Sequence, residues 1–321
     1  MMEQALGLAA AAIERADLVA LACHVTPDGD ALGSMLAMHL LCRSQGKPSV
    51  ASWPEPFVVA PHYTYLPGLD AVTKPADFPK APPVMITFDC GSLDRLNELA
   101  EPARAAGELI VVDHHATNAR YGSINVLDPE AAASAVMVHR LAARLDWPLT
   151  RAAAICLYTG IVTDTGRFQY SNTTPEVLAM ATELSRFGIP IAKMSRQLFE
   201  EHRFAYLQLV AAVLQRAELD AERRFVAAWI TRDDLVGFGV ELDEAEGLID
   251  IVRRTAEADV SCVLKESDDG TRVSLRSVTD FDVAAIAMRF GGGGHRAASG
   301  FTDPRPIPEV LADIRAQIPV R

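Results

Sequence analysis

The chain has 321 residues, half of them hydrophobic, with 30 basic and 42 acidic side chains and a formal net charge of −12. That length suits two domains with sizeable cores, while the negative charge argues against a long polyanion as partner, where phosphate neutralisation dominates binding. Acids and bases balance over residues 265–321, so the deficit lies upstream, where bound cations would offset part of it and a small anion could still bind. The five cysteines form no CxxC pair and read as small buried hydrophobes in a reducing compartment. Glu3 stands where a signal peptide wants a base, and no apolar stretch is long enough to span a bilayer. A cytoplasmic protein without membrane contact is expected.

In chain order, residues 18–23 predict a buried strand ending at His24, and residues 30–45 a helix closed by Gly46. A second strand is expected at 49–53, then a proline-rich loop over 53–83. Strands follow at 84–88 and 109–112, ending at Asp89 and Asp113, with helical spacing over 94–106 between them. Strands alternating with helices imply a doubly wound, mostly parallel α/β sheet with ligands at the carboxyl ends of its strands. Helices are expected at 129–145, 150–161, 175–187 and across 191–219. A second, smaller α/β unit then has strands at 225–230, 261–265 and 272–276, the last two joined by Asp268-Asp269-Gly270. A helix over 282–290 runs into Gly291-Gly292-Gly293-Gly294-His295. The division expected is 1–188, a helical linker 189–219, and 220–321.

Acids and histidines mark the strand and helix ends. They are His24, Asp28 and Asp30; Asp89; Asp113, His114 and His115; and Asp164 in Thr163-Asp164-Thr165-Gly166-Arg167-Phe168. Asp28 and Asp30 alone could be a turn residue and an N-cap. Four such clusters at element ends are harder to explain by capping, and Asp164 beside so apolar a segment is costly without a cation. Carboxylates mixed with imidazoles suit Mn²⁺, and less strictly Mg²⁺. Two cations near one phosphate mean phosphoester hydrolysis. The glycine run can bring several backbone N–H groups to a phosphate, with His295 and Arg276 as charged donors.

These motifs, in this order, resemble the DHH phosphoesterase superfamily over nearly the whole chain. The glycine run with His295 and the strand Val273-Ser274-Leu275-Arg276-Ser277 resemble its DHHA1 domain. Length and the Asp164 segment are most similar to the bacterial nanoRNase and pAp phosphatase group. The resemblance implies one metal held by His24, Asp28 and Asp89, and another by Asp30, Asp89, His114 and Asp164. It implies Asp113 orienting a ligand histidine, His115 facing the scissile phosphate, and two Mn²⁺, with Mg²⁺ or Co²⁺ as substitutes. Arg167, Ser274, Arg276, Gly292, Gly293, Gly294 and His295 would hold the substrate. Short RNA oligonucleotides, pAp or dinucleotides are the expected substrates and a homodimer the expected assembly, with no long duplex nucleic acid as partner. A cleft between the domains would measure substrate length. Cyclic or linear dinucleotide hydrolysis is the alternative, and an idle nucleotide sensor a weaker one. Where the group usually has an acid after the DHH triplet, this chain has Val136. Glu246-Gly247 fits the family pattern without an assigned role.

Overall fold

The computed structural model describes residues 2–320, which divide by their internal contacts into two units, the first ending at Glu201 and the second starting at His202. The first begins with α1 (Met2–Arg15), β1 (Val19–Cys23), α2 (Gly29–Ser44) and β2 (Ser49–Ser52). It continues through β3 (Val84–Phe88), α3 (Ala100–Ala105), β4 (Glu108–Asp113) and β5 (Ile124–Leu127). Helices α4 (Ser134–Arg144), α5 (Arg151–Asp164), α6 (Pro175–Ser185) and α7 (Ile191–Phe199) complete it. The five strands are all parallel, in the order β2-β1-β3-β4-β5. The expected doubly wound sheet is present.

Its central strands β1, β3 and β4 read as nearly unbroken apolar runs because both faces are buried. On one face Val19, Leu21, Ile86 and Val112 join the core formed with α1, α2, α4 and α5. On the other, Ala20, Ala22 and Met85 meet Leu96, Leu99 and Ala103. Helix α2 is apolar on nearly every side and buried along most of its length. It packs closely on α5, where a Cβ on Gly33 would overlap the Cys156 carbonyl. That close approach brings the start of α2 beside the end of α5, and with it the acids carried there.

Several expected boundaries move. The helix expected from 129 starts only at Ser134, after an extended Ala133, because its first amides serve a buried carboxylate described below. The helical spacing over 94–106 is realised as a 3₁₀ segment, Leu93–Leu99, broken at Asn97 (φ 42°), and then α3. The proline-rich stretch carries three single 3₁₀ turns, and its Trp53 is buried and stacked on Phe57. Strand β5 and helix α1 were not anticipated.

The second unit comprises α8 (Phe204–Gln215), β6 (Glu218–Asp220), β7 (Phe225–Ile230), α9 (Arg232–Phe238) and α10 (Ile249–Val252). Then come β8 (Val260–Ser267), β9 (Gly270–Ser277), α11 (Val283–Arg289), β10 (Gly293–His295), β11 (Ala298–Asp303) and α12 (Ile307–Gln317). Its mixed sheet runs β10-β11-β9-β8-β7-β6, with only β7 and β8 parallel. One face carries Phe225, Cys262, Leu264, Val273 and Leu275 against α11 and α12. The other carries Val226, Ala228 and Val263 against α8 and α10. The stretch expected as helix over 191–219 is two helices, α7 and α8, and the division at 201/202 falls between them. Apolar residues recur at helical spacing on both sides of the break, so periodicity alone runs through it. Among the described residues no helix is long and apolar enough to cross a membrane, and all five cysteines are buried and unbridged.

Candidate active site

Strand β1 lies between β2 and β3, so the sheet reverses its winding at the β1/β3 pair, the point where such sheets bind ligands. His24 follows β1 and Asp89 follows β3. Asp89 takes a left-handed backbone (φ 53°), a conformation Asp tolerates better than most residues. Its buried carboxylate faces two ways. Oδ2 lies 3.6 Å from His24 Nε2, which is 3.9 Å from Asp28 Oδ2. Oδ1 lies 3.4 Å from His114 Nε2, which is 3.1 Å from Asp164 Oδ2 and 3.9 Å from Asp30 Oδ2. Among the donor groups that include Asp89 are His24–Asp28–Asp89 and Asp30–Asp89–His114, each with atoms within 4.8 Å of one another. The structure thus gathers all six residues expected as metal ligands around Asp89.

The histidine rings are set for this. His114 Nδ1 lies 3.1 Å from the Ala131 carbonyl, so a proton there leaves the Nε2 lone pair turned toward the carboxylates. His24 Nδ1 lies 2.8 Å from the Val25 carbonyl, which favours the same tautomer. Arg95 brings a guanidinium nitrogen within 2.9 Å of that Nδ1 and, being only a donor, opposes it.

Asp28, not Asp30, caps α2: its Oδ1 accepts from the amides of Asp30 and Ala31. Asp30 sits in the first helical turn, fully buried. Its Oδ1 accepts from the Ala135 amide (2.9 Å) and Ser34 Oγ (3.1 Å), and its Oδ2 from the Ser134 amide. A buried carboxylate left without such donors would cost at least about 1–3 kcal/mol. A Cβ on Gly160 would lie 2.6 Å from Asp30 Oδ1, so α5 must carry glycine there. Ser134 Oγ also donates to Asp89 Oδ1, at 3.1 Å. Val136 is buried and apolar. The polar support after the triplet comes from Ser134 and the Ala135 backbone.

Asp113 is fully buried and holds His115, where the resemblance implied that it orients one of the histidines expected as metal ligands. Its Oδ1 accepts from His115 Nδ1 (2.7 Å) and the His115 amide (3.2 Å). Asn118 donates to the other oxygen of Asp113 and to the carbonyl of Cys90, one residue beyond Asp89. Sequence reading missed Asn118, Ser34 and Ser134. Each is a polar residue near a motif, and only the fold shows which carboxylate it meets.

The charges in the cluster act strongly on one another. Burial pushes Asp30 well above the usual carboxylate range, and Asp164 and Asp89 push it further. Asp164 is raised by burial to about 6 despite the pull of His114. Burial acts upward on Asp89 too, but His115, His114 and His24 hold it well below the usual range. Burial lowers His115, yet Asp89 and Asp113 outweigh it and raise the ring to about 9. Histidine protons thus supply counter-charge for carboxylates that crowd one another. Four carboxylates and two imidazole Nε2 atoms are a donor set that fits divalent cations.

The residues expected to hold the substrate are placed as follows. Arg167, with φ 65°, stacks its guanidinium 4.6 Å from the Phe199 ring centroid. In the second unit, Gly293–His295 forms β10, the edge strand paired with β11. Side chains on Gly292 or Gly294 would overlap the backbone of Gly300 or Ala298, so close strand pairing itself demands glycine there. Cross-strand register places His295, Ala298 and Arg276 on one face, with Ser274 two residues along β9.

Residues 18–161 match the DHH family, N-terminal domain, and residues 223–318 match the DHHA1 domain. A Thermus thermophilus protein named bifunctional oligoribonuclease and PAP phosphatase NrnA is 34% identical over 88% of this chain and 83% of its own. A Bacillus subtilis protein of the same name is 29% identical over 88% of each. The crystal structure of an exopolyphosphatase-related protein from Bacteroides fragilis superposes with a TM-score of 0.90 at 26% identity, covering 98% of this chain and 95% of that one. A buried carboxylate–histidine cluster at the sheet's winding reversal, two family domains in sequence and these full-length likenesses agree: the chain belongs to the DHH–DHHA1 phosphoesterase family.

Proposed function

We propose that the protein is a metal-dependent phosphoesterase that hydrolyses very short oligoribonucleotides and pAp to nucleoside monophosphates. The observation that carries this reading is Asp89, whose two carboxylate oxygens face two separate donor groups. A carboxylate so placed suits a bridge between two cations. The activity in the names of the relatives supports the substrate class.

His24, Asp28 and Asp89 would hold one cation, and Asp30, Asp89, His114 and Asp164 the other, Mn²⁺ being the ion we favour. When bound, the pair supplies a water of lowered pKa and charge stabilisation at the phosphate. Asp113 fixes the ring of His115 through Nδ1, leaving Nε2 to donate to a phosphate oxygen as charge builds there. Asp30 and Asp89 keep their directions through the donors from α4, so the ligand geometry is set before substrate arrives. In the second unit, Arg276, Ser274, His295 and the backbone of the glycine strand would hold another phosphate of the substrate. Binding energy gained there can speed the reaction as well as tighten binding.

The test is a substrate panel of pAp, two- to five-nucleotide RNAs and cyclic dinucleotides, run after chelation and metal return. About two ions per chain, return of activity with Mn²⁺, and preference for pAp and short RNA are expected. Full turnover in excess EDTA would refute the metal reading. Preference for cyclic dinucleotides would move the function to the alternative.

A further inference from the structure

Three cations share one face of the second sheet. Lys265 stands opposite Arg272 across β8 and β9, and Arg276 opposite Ser261. Through Ala298 that face continues to His295. Residues 242–252 cover part of it and present Asp243, Glu246 and Asp250 at i, i+3 and i+7, one helical face.

The pairing is graded. Glu246 Oε2 meets Lys265 Nζ at 2.6 Å, and the lysine side chain is wholly buried. Arg272 Nη1 lies 3.5 Å from Glu246 and 3.9 Å from Asp243. Arg276 Nε stays 3.8 Å from Asp250 Oδ1, beyond hydrogen-bond length. Arg276 Nη1 instead donates to its neighbour's carbonyl, Leu275, at 3.0 Å. Arg253 approaches the same Asp250 oxygen to 3.8 Å. That oxygen is closed to solvent and accepts no hydrogen bond among the described residues. Asp250 therefore acts on Arg276 as a charge without fixing its direction.

We propose that Asp250 is a specificity-determining residue that weakens the hold of Arg276 on phosphomonoesters more than on phosphodiesters. This rests on Arg276 being a phosphate holder, as read above. A phosphate arriving at Arg276 meets the Asp250 carboxylate beside the same guanidinium. The repulsion grows with ligand charge, and a terminal monoester carries about −1.5 to −2 at neutral pH where a diester carries about −1. Asp250 thus disfavours a nucleoside monophosphate product relative to an oligonucleotide substrate and eases product release.

The experiment compares wild type, Asp250→Asn and Asp250→Ala, measuring KM for a triribonucleotide without terminal phosphates, which keeps one diester besides the scissile one, and the inhibition constant of adenosine 5′-monophosphate. With Asp250→Asn the inhibition constant should fall about tenfold, which is about 1.4 kcal/mol, and KM by about two- to threefold. Both charge-removing variants should move the same way. An inhibition constant unchanged within about twofold overturns the proposal. One that rises overturns it too, and assigns Asp250 to orienting Arg276. Arg276→Ala separates the two levels: if it alters neither constant, the phosphate reading of Arg276 fails; if it weakens both while the Asp250 variants change nothing, only the inference about Asp250 fails.

Discussion

In the N-terminal unit, Asp30 accepts two backbone amides and a hydroxyl, and Asp113 is gripped by His115 and Asn118. All of these contacts are within hydrogen-bond length, and both carboxylates are fully buried. In the C-terminal unit, Arg272 and Arg276 stand 3.5–3.9 Å from their acids and are a quarter to a third exposed. The first arrangement fixes direction; the second sets only a field. Chemistry at a phosphorus atom depends on donor positions held to fractions of an ångström. Holding the rest of a flexible ligand needs charge that can adjust.

The largest effect that bears on this contrast is expected at Asp89. Asp89→Ala takes a donor from both groups at once, so turnover should fall by more than the roughly 100-fold that a supporting residue costs. Metal content by elemental analysis should drop while the circular dichroism spectrum stays native. Retained turnover would remove the bridge from the reading and with it the contrast.

Asn118→Ala sharpens the comparison on the same side. It leaves every proposed ligand in place but frees Asp113, and kcat should drop by about 10–100-fold with KM and metal content unchanged. Loss of metal alongside kcat would mean that Asn118 supports Asp89 through the Cys90 carbonyl instead.

His295→Ala tests the looser region. Turnover of short oligonucleotides should weaken by about tenfold in kcat/KM, the worth of one hydrogen bond to a charged group. Hydrolysis of bis-p-nitrophenyl phosphate, which has no remote phosphate, should be spared. An equal loss on both would place His295 at the chemistry and dissolve the division of labour.

The smallest effects are on stability. Thr150 caps α5 through the Ala153 amide, and Thr150→Ala should cost about 1 kcal/mol in denaturant unfolding. Asp94 is exposed in a 3₁₀ turn without a side-chain cap, so Asp94→Ala should stay within about 0.5 kcal/mol. A comparable loss at both would mean that capping does not explain the difference.

Much of the site was legible because several of its acids and histidines follow apolar strands that end at the same sheet edge. His24, Asp89 and Asp113 could be placed from strand ends alone. The short strands β5, β6, β10 and β11 were not legible, since three to six residues carry too little periodicity, and β6, β10 and β11 also include glycine or charge. The glycine run read as a turn that brings backbone N–H groups to a phosphate, yet Gly293–His295 is an edge strand, and Gly292 and Gly294 are required by its own partner. Glu246 had no role in the sequence because the buried lysine it meets lies 19 residues away on β8.

By itself the sequence determined the two-unit plan, the parallel sheet and the identity of the clustered acids and histidines, because hydrophobic period and element ends are local properties. Only the tertiary structure decided that Asp28 caps α2 while Asp30 is buried, and that Asp113 holds His115. It also decided that Asp250 faces Arg276 without bonding it. Those choices depend on which donors from distant segments reach each carboxylate first, and packing, not spacing along the chain, sets that distance.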